Sequence, residues 1–332
     1  MNNLEINLSD GKIILKDLSD GKTEIRSYVN KGVFASDTYC ITSYPYPLIN
    51  MIAEVKGAAW VCNEIKRDED ESYIQNAIKN DLLSYAGKDD FKNKRILDFG
   101  CGSGASTSIV ARMFPESEIL GVEYVESFVE IARMRKEHYS LQNLSYLVSP
   151  DTESLPENIG VFDYVLFNGV FEHLLPAERH SLFPMIWSYL KTDGILYLTN
   201  TPNRLFPLEL HTTSGLPFLN FLPDKISLTY SRKFSKRHLE DMSWEDLLRA
   251  GIRGGTINEI MEILNKTDSK PELLNPKAEG IKNRIDLWYK SYNKYSYQKI
   301  KKYIYYSLKI IKAVIGVELV PYLSLAIKKT KK

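Results

Sequence analysis

The glycine-rich stretch at residues 95–107, RILDFGCGSGAST, limits this chain to a narrow set of folds. Arg95, Ile96, Leu97, Asp98 and Phe99 form a short, largely apolar run followed at once by Gly100, Gly102 and Gly104. The run predicts a buried strand, and the glycines predict a sharp turn where a ligand or another backbone approaches closely. Ser106 and Thr107 then open a helix that continues through Val110, Ala111 and Met113. Strand-to-helix glycine turns of this kind bind nucleotides in several fold families, so the residues around the turn must separate the possible ligands.

The dinucleotide fingerprint spaces its glycines G-x-G-x-x-G and seats a pyrophosphate on the helix N-terminus. Here the spacing is G-x-G-x-G, and Asp98 stands at the strand end. A carboxylate there repels pyrophosphate and favours a cationic ligand through charge-assisted hydrogen bonds and Coulomb attraction. About 20 residues further on, Glu123 closes a second strand at residues 119–122. An acid in that place can accept hydrogen bonds from both ribose hydroxyls of an adenosine. With Asp98, three glycines and Glu123 in register, the stretch resembles the class I S-adenosylmethionine-dependent methyltransferases. The resemblance implies an α/β fold: a Rossmann-like, mostly parallel seven-stranded sheet with flanking helices. It also implies S-adenosyl-L-methionine as cofactor, held by Asp98, Gly100, Cys101, Gly102, Gly104 and Glu123.

The strand and helix alternation continues downstream, as a parallel sheet with right-handed crossovers requires. A helix is expected over residues 126–138, a third strand over 144–148 and a fourth over 161–167. In the family, an acidic residue in the loop after the third strand approaches the adenine amino group. Asp151 matches that position by its place before Leu155 and Pro156, and can alternatively serve as a turn former. FDYVLFNGVFEHL, at residues 162–174, resembles the equivalent segment of small-molecule methyltransferases and adds Asn168 to the expected cofactor site. It contains neither an Asn-Pro-Pro-Tyr motif nor a Pro-Cys pair, so DNA is not an expected substrate. A helix over residues 177–190 and a fifth strand over 194–199 complete the recognisable core.

Beyond the fifth strand, residues 201–225 are aromatic and rich in proline and include Arg204, Glu209 and His211. Ligands sit beyond the carboxyl ends of the strands in open α/β sheets, so this segment is placed to cover the methyl donor and shape the acceptor site. The segment is similar to a loop in some bacterial methyltransferases of glycan pathways. Methyl transfer to a hydroxyl needs a proton removed. His173 and His211 are the candidate general bases, because histidine titrates near neutrality and both follow sheet strands. Glu172 and Glu209 can assist them, and Arg204 can bind an anionic acceptor. Packing and loop-tying roles are the alternatives for these residues.

The sequence divides into an N-terminal extension at 1–71, a cofactor-binding core at 72–202, a mostly helical cap at 203–317, and an expected final strand with a basic tail at 318–332. Two Asp-Gly turns near the N-terminus flank Ile13, Ile14 and Leu15 and predict short antiparallel strands. Tyr39, Tyr44 and Tyr46 either contribute to an acceptor pocket or pack the extension on the core. An amphipathic helix is expected at 72–86, another helix within 235–250, a surface crossing at 265–282, and helix over 289–315. Tyrosines 289, 292, 295, 297, 303, 305 and 306 stand among lysines in that last region, which permits peripheral membrane contact; the favoured reading is a cap with packed tyrosines and solvated lysines. The 332 residues carry a formal charge of +1, which argues against an obligate nucleic-acid surface. Three cysteines without metal-ligand spacing and a polar N-terminus fit a cytoplasmic chain without a transmembrane segment. The expected function is O-methylation of a small molecule or saccharide. A dinucleotide-dependent enzyme, a non-catalytic binding module and an RNA methyltransferase are the alternatives.

Overall fold

The structure, a computed structural model, describes residues 3–35, 37–152, 154–211, 213–237, 239–291 and 298–332. The chain begins with β1 (Asn3–Leu8), β2 (Gly11–Asp17), β3 (Thr23–Val29) and β4 (Tyr39–Thr42), which form a four-stranded antiparallel sheet in sequence order. Ile13, Leu15 and Ile25 alternate inward from this sheet and are fully buried against α1 (Tyr46–Lys56) and α2 (Val61–Glu69). One turn of π-helix at Glu71–Gln75 leads into α3 (Asn76–Leu83), so the helix expected at 72–86 is shorter and begins irregularly.

The core follows as β5 (Arg95–Phe99), α4 (Ala105–Met113), β6 (Glu118–Glu123), α5 (Glu126–His138), β7 (Leu144–Val148), β8 (Phe162–Asn168), α6 (Pro176–Ser188) and β9 (Leu190–Pro202). Then come α7 (Asp224–Phe234), α8 (Trp244–Arg249), α9 (Ile257–Asn265), β10 (Lys270–Leu273), α10 (Arg284–Ser291), α11 (Gln298–Ile315) and β11 (Tyr322–Thr330). The second sheet has seven strands in the order β10-β11-β9-β8-β5-β6-β7. Neighbours from β9 through β7 are parallel, and β11 runs antiparallel to both β9 and β10. Strand order reverses between β5 and β8, which opens a crevice at their carboxyl ends.

Period-two alternation divides the core between the two faces of this sheet. Leu97, Val165, Phe167, Leu196 and Leu198 pack on one face with α6 and α9, while Ile96, Tyr164, Leu166 and Tyr197 pack on the other with α3 and α4. The same alternation directs Asp98, two residues after Ile96, and Asn168, two after Leu166, toward the second face.

Several expected elements differ. The segment 265–282 is not only a surface crossing: it contains β10, a sheet-edge strand too short and too charged to announce itself. α7 occupies the end of the proline-rich stretch and the residues after it, with Pro223 preceding its first turn, a position where the missing N–H costs nothing. In α11 the favoured reading is half reversed. Lys301, Lys309 and Lys312 turn inward to the Tyr289 carbonyl, Asp286 and Glu318, whereas Tyr303 and Tyr306 are exposed. Tyr289 and Tyr305 do pack, at 4.4 Å between ring centroids; Tyr292, Tyr295 and Tyr297 lie outside the described residues. Among the described residues no helix is long and apolar enough to cross a membrane.

Candidate functional site

The glycine turn is held by the neighbouring strand. The backbone N–H groups of Gly100 and Cys101 both donate to the Val122 carbonyl, at 2.9 and 3.1 Å, and Gly104 N–H donates to the Cys101 carbonyl. Gly104 has φ of +79° directly before α4, and a Cβ there would lie 2.6 Å from Ala132 Cβ and from the Tyr146 hydroxyl. Both the left-handed backbone and the absence of a side chain are needed at that point. The Cys101 side chain is buried, and burial pushes its thiol well above its ordinary value, so this residue serves the turn through its backbone.

Glu123 sits at the end of β6 and faces the turn. Its Oε2 accepts from Gly102 N–H at 3.0 Å, and its Oε1 accepts from Tyr124 and Val125 N–H at 2.8 and 3.1 Å. Three backbone donors fix the carboxylate, and a carboxylate has about four acceptor positions. Lone-pair capacity is therefore left for a ligand.

Beside Glu123 lies a cavity of about 540 Å³, assembled from the loops after four adjacent parallel strands. Phe99 and Gly100 come from the end of β5, Val122 to Val125 from the end of β6, Asp151 and Thr152 from the loop after β7, and Gly169, Val170 and His173 from the loop after β8. Phe128 and Leu182 add apolar wall, and Arg249 closes one side. All of these lining residues lie at position 99 or later. The N-terminal tyrosines are absent from this wall: Tyr44 is buried and donates to Asp68, and Tyr46 donates to Asp17. A recess of about 690 Å³ between α6, α9 and Lys329 is larger but contains none of the expected cofactor residues.

The expected cofactor residues therefore do not all meet at the cavity. Gly100, Glu123 and Asp151 line the cavity, where Asp151 also accepts from Ser154 Oγ at 2.8 Å and so performs its turn role as well. Asp98 and Asn168 instead share a small interior chamber of about 20 Å³ behind the turn. Thr107 Oγ1 donates to Asp98 at 2.7 Å, Asn168 donates to Ser106 Oγ at 3.1 Å, and Thr199 donates to Asn168 Oδ1. Burial raises the Asp98 carboxyl to about 7, with Thr107 opposing and the Glu123 charge adding to the rise.

The two histidines converge although 38 positions separate them in the chain, and their ring centroids are 5.0 Å apart. His173 Nδ1 lies 2.7 Å from the Arg249 carbonyl. His211 Nδ1 lies 3.2 Å from Thr213 Oγ1, and its Nε2 lies 4.0 Å from Glu172 Oε1. Burial, followed by the neighbouring His173, lowers His211 to about 4; burial also raises the Glu172 carboxyl. Glu209 is occupied elsewhere, since its Oε2 accepts from Ser214 and Gly215 N–H and from Ser214 Oγ. Arg204 lines a separate recess of about 350 Å³. The sequence reading did not find Arg249, whose guanidinium pairs with Glu178 while its carbonyl meets His173. Only the fold, by seating the end of α8 on this loop, brings it there.

Residues 96–194 match the family model of the methyltransferase domain, and the matched core has the sheet order and glycine turn expected of a class I S-adenosylmethionine-dependent methyltransferase. Similar curated proteins include malonyl-[acyl-carrier protein] O-methyltransferase of Bacillus anthracis, 27% identical over 142 residues, or 42% of this chain and 50% of that protein. Ubiquinone biosynthesis O-methyltransferase of Coxiella burnetii is 29% identical over 40% of this chain and 54% of its own length. An uncharacterized Synechocystis protein is 23% identical over 50% of this chain and 34% of its own length. The chain thus spans about half the length of these relatives or less. Among solved structures, an O-methyltransferase family protein from Burkholderia thailandensis aligns at a TM-score of 0.46 with 12% identity, over 85% of this chain and 62% of that one.

Proposed function

We propose that the protein transfers a methyl group from S-adenosylmethionine to a hydroxyl oxygen of a small molecule or saccharide. The observation that carries this reading is that one cavity joins Glu123, fixed against the glycine turn, to His173 at the next strand-end loop. In this account Glu123 accepts from the ribose hydroxyls and Asp151 meets the adenine amino group. Asp98 and Asn168 brace the first turn of α4 from the interior through Thr107 and Ser106. S-adenosylmethionine, when bound, supplies a methyl carbon already activated by its sulfonium. The chain's own task is to place the acceptor oxygen in line, exclude water and take up the hydroxyl proton.

His173 fits the proton-accepting role. Its Nδ1–H donates to the Arg249 carbonyl, which leaves the lone pair on Nε2. His211, held neutral by burial but lowered to about 4, is a poor acceptor for a hydroxyl proton and fits an orienting role.

The test is to incubate the protein with S-adenosylmethionine and separate panels of hydroxylated small molecules, saccharides and RNA, reading S-adenosylhomocysteine release. The expected result is turnover with a hydroxylated small acceptor, reduced about 100-fold or more in His173→Ala, as loss of a general base requires. Turnover confined to RNA and falling steeply with salt would assign an RNA methyltransferase instead. Cofactor binding without turnover on any acceptor would indicate a binding module.

A further inference from the structure

We propose that Glu172, His173 and His211 form a binding site for a divalent first-row transition ion at the edge of the cavity. One ligand atom from each residue lies within 4.8 Å of the other two. Two imidazoles and one carboxylate are the donor set that suits Zn²⁺, Fe²⁺ and related ions while leaving coordination positions open. Metal bonds of about 2.0–2.1 Å place tetrahedral ligand atoms roughly 3.3 Å apart. The 4.0 Å separation of His211 Nε2 and Glu172 Oε1 therefore needs only a small contraction.

The surroundings fix which atoms can be donors. Thr213 Oγ1 donates its hydrogen to the Ala250 carbonyl at 2.6 Å, so it meets His211 as an acceptor. His211 then carries its proton on Nδ1, and Nε2 presents a lone pair on the side of Glu172. His173 is set the same way by the Arg249 carbonyl. A ring N–H donated to a carbonyl or hydroxyl oxygen is the usual support of a metal-bound imidazole. Thr201 Oγ1 donates to Glu172 Oε2 at 2.8 Å and leaves Oε1 toward His211. All three residues therefore have an orienting partner from outside the trio.

The backbone leaves room for this arrangement. Gly251 has φ of +82°, and a Cβ there would lie 2.9 Å from His211 Cε1 and 3.2 Å from Glu172 Cγ. Glycine lets the chain after α8 close over the trio while Arg249 and Ala250 supply their carbonyls.

The function of the ion rests on the methyl-transfer reading and refines it: the acceptor's hydroxyl oxygen binds at an open position, and its proton passes to solvent. An oxygen pair then forms the O–C bond as the C–S bond breaks, with that bond's electrons remaining on sulfur. With an ion bound, His173 Nε2 would be a ligand, and the ion would take over the role that the free imidazole has in the metal-free protein.

The experiment uses the full chain without a histidine tag, stripped with EDTA and titrated with Zn²⁺ by calorimetry and with Co²⁺ by visible absorption. One equivalent is expected, with binding weakened 100-fold or more in Glu172→Gln and His211→Asn. It should be unchanged in His180→Asn, which lies at the separate recess. Thr213→Val should weaken binding about 10-fold to 100-fold by releasing the His211 tautomer, and it remains informative if a ligand variant does not fold. Absence of stoichiometric binding by the folded wild type, or equal binding by all variants, would overturn the site. Because binding is read without cofactor or acceptor, that failure leaves methyl transfer standing, and a failure to find turnover leaves the metal site standing.

Discussion

Glu123→Ala is expected to weaken S-adenosylhomocysteine binding about 100-fold or more while leaving a folded protein. The carboxylate is fixed by N–H donors from Gly102, Tyr124 and Val125, at 2.8 to 3.1 Å, and borders the cavity. Hydrogen bonds to a charged group contribute about 1.5–3 kcal/mol each. Loss of the two proposed ribose contacts therefore corresponds to roughly 3–6 kcal/mol, and 100-fold in affinity is about 2.8 kcal/mol. The substitution also releases Gly102 N–H, so the turn loses an anchor as well as the ligand. Glu123→Gln, which keeps an acceptor oxygen but no charge, should fall between wild type and alanine. Unchanged affinity in a folded Glu123→Ala variant would remove Glu123 from the cofactor site.

Arg135→Ala is expected to cost about 3–5 kcal/mol of stability, the range for removing one partner of a buried ion pair. Arg135 is fully buried on α5 and joins three parts of the molecule. Its Nη1 donates to the Ser103 carbonyl in the glycine turn at 2.8 Å and to Glu64 Oε1 on α2 at 3.1 Å; its Nε donates to the Tyr44 hydroxyl. Nη2 donates to the Glu64 carbonyl, and Asp68 lies 3.7 Å from Nε. Removal leaves the buried carboxylates of Glu64 and Asp68 without the guanidinium that pairs with both. Urea titration of the two proteins measures the change. A difference below about 1 kcal/mol would mean that the buried network relaxes without cost and does not tie α2 to the turn.

The sequence carried the core because its signals are local. The 95–107 stretch contains strand, turn and helix start within a few residues, and the acids that follow it stand at strand ends that period-two patterns mark. Glu123 was legible for that reason. Asp98 was legible as an acid beside the turn, but its direction was not used: two residues from buried Ile96, it shares that residue's face and enters the interior. Asn168 follows Leu166 in the same way. The convergence of His173 with His211 depends on where the chain after β9 sets His211 against Glu172, and no spacing in the sequence expresses that. β10 was missed because a four-residue edge strand with lysine, proline and glutamate has little apolar pattern. Arg135 carries no local signal of its role; its partners Glu64 and Asp68 reach it from a helix more than 60 positions earlier.

The most direct test of the central claim is calorimetric titration of the purified full chain with S-adenosylhomocysteine, S-adenosylmethionine and NAD, with Glu123→Ala alongside. The account predicts saturable binding of both adenosyl sulfur compounds, no comparable binding of NAD, and the loss described above in the variant. A folded protein that binds neither sulfur compound, or that prefers NAD, would contradict it.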